Sequence, residues 1–105
     1  MFLGLYGQSP EAKLHIEPQF GQAGTIFHFK ATHFEPGKQL KVSIIAPNRK
    51  QIYNDVLVTD DNGNIGWGRL GRSSTRDWLK GKYTLVVIGE SNGETVTLKE
   101  FFELT

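Results

Sequence analysis

Several groups of side chains in this sequence have types and spacing that could do chemistry. Asp60, Asn62 and Asn64 hold the one, three, five spacing with which a Ca²⁺ loop begins, an arrangement that turns oxygens toward a hard cation. The rest of that loop is wrong for the ion. Ile65 occupies the position that requires Gly, and Gly71 the position that requires a bidentate Glu. A plain turn is the better reading, since Asp and Asn tolerate left-handed backbone, with Asp60 and Asp61 left as a weak Ca²⁺ candidate. His15, His28 and His33 have no paired spacing, and His15 and His28 could approach only if the first two strands pair. No metal site is expected from them. Ser73 and Ser74 lie in a loop without the surroundings of a nucleophile elbow, and no catalytic residue is assigned. Lys30, Lys41 and Lys82 all fall on outward positions, which disfavours a self-made amide crosslink to a buried Asn.

The most suggestive group is cationic and aromatic. Arg69, Arg72, Arg76, Lys80 and Lys82 follow one another between the middle and late strands, relieved only by Asp77, with Trp67 and Trp78 among them. Guanidinium forks suit carboxylates or phosphates, and an indole face suits a pyranose or a base. The competing structural reading is that Trp78 and Leu79 plug the end of the fold while the arginines stay in water. The binding candidates are therefore Trp67, Arg69, Arg72, Arg76 and Trp78.

The elements that must position these residues are short strands. Leu14 and Ile16 alternate before Pro18, which suits an edge or a crossing point because it lacks an N–H. Phe27, Phe29 and Ala31 alternate inward against His28 and Lys30. Glu35 to Lys38 reads as a tight turn around Pro36 and Gly37. Leu40, Val42, Ile44 and Ala46 then form an inward row. Ile52 to Val58 is a weaker strand, with Val56 and Val58 as its expected core members. Asp60 to Asn64 is the strongest turn, read as a hairpin into Ile65 and Trp67. Ser73 to Lys80 predicts a loop or a single helical turn. Tyr83, Leu85 and Val87 make the next strand, Ser91 to Gly93 a turn, and Val96 and Leu98 the last strand. Lys99 to Phe102 breaks parity there, so a β-bulge is expected to return Phe102 and Leu104 to the core.

About seven such strands without a long amphipathic helix predict an all-β chain, an immunoglobulin-like two-sheet antiparallel β-sandwich of Greek-key topology. The 105 residues suffice for one core. Residues 1–12 are read as a linker or extension and residues 13–105 as the sandwich domain. Twelve basic against eleven acidic side chains give a net charge of +1, too little to predict binding to nucleic acid. With no cysteine, disulfides and thiolate sites are excluded. Residues 1–7 carry neither a basic leader nor a long apolar run, so neither a signal peptide nor a membrane insertion is read there, and the chain is taken as a piece of a longer protein.

Three segments together resemble a known pattern: Phe34-Glu35-Pro36-Gly37-Lys38-Gln39-Leu40, Asp61-Asn62-Gly63-Asn64-Ile65 and Leu79-Lys80-Gly81-Lys82-Tyr83-Thr84-Leu85. They resemble the turns and strand starts of bacterial immunoglobulin-like and fibronectin-III-like modules of surface or secreted proteins. The resemblance spans roughly residues 14–104, departing in its lack of a cysteine pair and in Lys80, where many such modules carry Pro. It implies a tyrosine corner at Tyr83 and a spacer or adhesion module, extracellular or in the cell envelope. Such a module would be non-catalytic, cofactor-free and monomeric, with neighbouring domains and a protein or glycan as partners. One alternative is a carbohydrate-binding module stacking sugars on Trp67, Trp78 and Tyr53; another is an accessory domain beside a hydrolase.

Overall fold

The structure is a computed structural model and describes residues 11–70 and 75–105. Among the described residues eight strands follow in order: β1 Lys13–Glu17, β2 Phe20–Gly21, β3 His28–Thr32, β4 Gln39–Ile45, β5 Gln51–Val58, β6 Ile65–Arg69, β7 Gly81–Ser91 and β8 Glu94–Leu104. A single 3₁₀ turn, Thr75–Asp77, precedes β7. They form two layers, a three-stranded sheet β1-β3-β6 and a five-stranded sheet β2-β8-β7-β4-β5. The all-β, two-sheet sandwich expected from the alternation is therefore the fold. Every pairing is antiparallel except β2 on β8, which is parallel.

The chain makes two hairpins, β4–β5 and β7–β8, and places β6 in the opposite sheet between them, so β7 returns beside β4. The β7–β8 hairpin closes on Asn92 and Gly93, both at positive φ, the geometry that gives a two-residue turn the twist of its strands. Asp60 to Asn64 is a turn, but not a hairpin: it carries the chain from β5 across to β6 in the other layer. Glycine is obligatory at its Gly63, where φ is +79° and an added Cβ would overlap the Phe34 carbonyl. That close approach lets the Phe34 N–H donate to the Gly63 carbonyl at 3.0 Å.

The core lies between the layers. Leu14, Ile16, Phe29 and Ala31 come from one sheet; Leu40, Val42, Ile44, Leu85, Val87, Phe102 and Leu104 come from the other, all buried. Each such aliphatic or aromatic side chain stabilises the fold by roughly 1.5–3 kcal/mol. At one end Phe27, Phe102, Tyr83 and Trp78 make an aromatic column, with successive centroids 4.7, 5.2 and 5.3 Å apart. Buried polar side chains serve the loops: the Thr75 hydroxyl donates to the Thr25 carbonyl at 2.8 Å, and that of Thr59 donates to the Glu35 carbonyl at 2.6 Å.

Two expectations for the strands are overturned. Val56 and Val58 point to solvent, 49% and 60% exposed, while Tyr53 and Leu57 lean on the core. The last strand needs no bulge, because β7 and β8 pair in unbroken register from Gly81↔Leu104 to Ser91↔Glu94. Val96, Leu98, Glu100, Phe102 and Leu104 all share the inward parity, with Glu100 half-buried among them and Phe101 outside.

Candidate functional site

Trp67 is 50% exposed and owes its place to an irregularity in β6. Opposite β3, Phe29 pairs with Gly68 and Ala31 with Ile65, so Gly66 and Trp67 both lie against Lys30. This is a β-bulge, a device that re-aims a side chain. Gly68 takes the inward position, where even a Cβ would sit 3.4 Å from the Phe29 ring, and Trp67 is turned outward. The Lys30 ammonium stands 5.0 Å from the centre of its ring, within the range of a cation–π contact.

The strands on either side decide what surrounds this indole. β1 pairs with β3, so His15 lies opposite Lys30, Glu17 opposite His28, and Lys13 opposite Thr32. His28 is in turn opposite Arg69 on β6. Alternation then puts Lys13, His15, Glu17, His28, Lys30, Thr32, Trp67 and Arg69 on the outer face of one sheet. Rows on such a face are about 4.8 Å apart across strands and about 6.7 Å apart along them. Among the described residues of this face, Lys13, Lys30 and Arg69 share it with a single carboxylate, Glu17, whereas the chain as a whole carries +1. The condition set by the sequence for His15 and His28 to approach is met, as diagonal neighbours. Among the described residues, however, no three His, Asp or Glu side chains gather as metal ligands would.

The other candidates go elsewhere. Trp78 is half-buried and packs on Tyr83, as the plug reading requires, whereas Leu79 is exposed and supplies only its carbonyl. Arg76 sits on the 3₁₀ turn, and Arg72 lies outside the described residues. Lys82 projects from the opposite layer and covers the Phe101 ring at 4.0 Å. Sequence proximity thus grouped residues that the sandwich separates: Arg69 and Lys82 are on opposite outer faces. Tyr53 leans on the core and donates its hydroxyl to Asp55 at 2.9 Å.

The Asp60 carboxylate serves the turn. One oxygen accepts the N–H groups of Asn62 and Asn64 at 2.8 and 2.9 Å, and Asp61 beside it is exposed. Tyr83 donates its hydroxyl to the Leu79 carbonyl at 2.6 Å, and burial pushes its pKa above the ordinary 10.0. That bond reaches a carbonyl four residues upstream. What sequence reading missed was the company of Trp67. Lys13, Glu17 and Lys30 are distant from it in sequence and join it only through two strand pairings.

Fold and surface together define an all-β sandwich with a cationic, Trp-bearing outer sheet face. No family model matches the chain, and no curated protein does. Among solved structures it is similar to macromomycin, with a TM-score of 0.56 and 14% identity over 90% of this chain and 100% of that one. At that identity the likeness concerns the fold alone.

Proposed function

We propose that the chain is a non-catalytic structural and interaction module, of spacer or adhesion type, in a larger bacterial surface or secreted protein. Its kind would be immunoglobulin-like or fibronectin-III-like, its place extracellular or in the cell envelope, and its neighbours further domains. The observation that carries this reading is the path of the chain. Glu11 and Ala12 lie beside Ser91, Asn92 and Glu94 at one end of the sandwich, while Leu104 lies opposite Gly81 at the other. The eleven residues of β7 separate these ends, about 35 Å for an extended strand. A module entered at one pole and left at the other lengthens whatever chain it joins. At the exit, the N–H groups of Glu103 and Thr105 donate to the Gln19 and Gly21 carbonyls at 2.8 Å each, tying the last strand to β2.

The test is to join three copies head to tail, Thr105 to Glu11, and measure the particle by small-angle scattering. The maximum dimension should rise by about 35 Å per copy. A dimension that grows far less would mean that the copies fold back, and the spacer reading fails.

A second reading, a carbohydrate-binding module, is favoured by one observation, the exposed indole of Trp67. Its platform would be Trp67 alone, since Trp78 is engaged by Tyr83 and Tyr53 leans on the core.

A further inference from the structure

We infer that the outer face of the sheet β1-β3-β6 binds an acidic polysaccharide, with Trp67 under one sugar ring and Lys13, Lys30 and Arg69 on carboxylates of neighbouring sugars. This deepens the carbohydrate reading and rests on it. Charge segregation supplies the first support. Two lysines, one arginine and one glutamate occupy this face, although the chain carries only +1. An anionic polymer gains most where such cations converge without being neutralised by the protein itself.

The second support is the bulge. A regular strand would leave one residue opposite Lys30; here two lie there, and the extra residue presents an indole half open to water. An indole offers a large apolar face with little conformational freedom to lose, which suits the C–H face of a pyranose once the Lys30 ammonium, 5.0 Å from the ring centre, turns aside to a sugar carboxylate. The third support is the mixture of donors and acceptors around it. Glu17, His15 and Thr32 share the face with the cations, and sugar hydroxyls both donate and accept. Successive stacked bases would need further exposed rings, and among the described residues of this face Trp67 is the only aromatic one besides the two histidines.

The experiment is an NMR titration of the full ¹⁵N-labelled chain with oligogalacturonates of three to six sugars. Neutral galacto-oligosaccharides, polyglutamate and oligo(dT) are the comparison ligands. Saturable shifts should centre on β1, β3, β6 and the Trp67 indole with the oligogalacturonates. Trp67→Ala should weaken this binding about tenfold, and Lys30→Ala or Arg69→Ala by several-fold, whereas Lys99→Ala on the opposite face should leave it unchanged. Because Trp67 is exposed, the variant's melting temperature should stay near that of the parent, which separates lost binding from lost fold.

No saturable shift with any sugar overturns both this inference and the carbohydrate reading. Binding of neutral sugars alone, lost in Trp67→Ala, keeps the carbohydrate reading and overturns the acidic ligand. Equal responses to polyglutamate or oligo(dT), or an undiminished affinity in Trp67→Ala, reduce the face to an ion exchanger and overturn the inference.

Discussion

Tyr83 shows how much a single buried hydroxyl can report. Its ring completes the aromatic column and its hydroxyl reaches the Leu79 carbonyl. Tyr83→Phe keeps the ring and strands the carbonyl, so urea denaturation should show a loss of about 1 kcal/mol. The raised pKa adds a pH dependence of definite sign. The native state favours the protonated phenol, so the stabilisation is complete below the unfolded value near 10 and is lost as pH rises through the native-state value. Stability of the parent should therefore fall on the alkaline side, and Tyr83→Phe should remove that part of the slope. Asp60 supports an equally specific expectation. Asp60→Ala releases two backbone amides and should cost about 1–2 kcal/mol, while millimolar Ca²⁺ should leave the parent's melting temperature unchanged. A rise with Ca²⁺ would show that Asp60 and Asp61 hold the cation in the native state.

At the scale of elements, strands with one apolar parity were legible and strands with two were not. Leu40, Val42 and Ile44 alternate with Gln39, Lys41 and Ser43, so only one face of β4 could be the core face, and it is. In β5 both parities are apolar: Ile52, Val56 and Val58 on one, Tyr53 and Leu57 on the other. Alternation cannot choose between them; the pairing with β4 does, setting Leu57 opposite the buried Leu40 and Tyr53 opposite the buried Ile44. In β8 a single inward Glu100 imitated a break in parity that the register does not contain. The turns were read correctly as turns, but a turn does not state whether its strands share a sheet, and Asp60 to Asn64 joins two layers. The same limit scattered the cationic group, whereas the Trp67 face is assembled by two strand pairings, one of which brings β6 to β3 across dozens of residues. A pair of substitutions tests the corrected faces. Val58→Thr should change stability by no more than about 0.5 kcal/mol, and Leu40→Ala, in the same hairpin and fully buried, should cost about 2–5 kcal/mol. Comparable losses at both positions would return Val58 to the core.

The whole molecule has one core shared by two sheets, and its tryptophans sit on opposite sides of the question of whether those sheets can part. Trp78 packs at a tilt on Tyr83 of β7 in the five-stranded layer, while Trp67 lies on the solvent side of the three-stranded layer. Each buried row of one sheet has its partners in the other, because Phe27 packs on Phe102 and the buried residues of both layers belong to one cluster. Neither sheet retains a covered apolar face without the other, so separate unfolding would expose both faces at once. Two variants can follow the layers individually: Trp67→Phe reports through Trp78, and Trp78→Phe through Trp67. In urea the two should give small differences in midpoint that match their stabilities by circular dichroism, with fluorescence and dichroism coinciding within each variant. The emission change should be large where Trp78 leaves its contact with Tyr83 and small where Trp67 is already wet. A fluorescence midpoint displaced from the dichroism midpoint in either variant would mean that the layers unfold in separate steps.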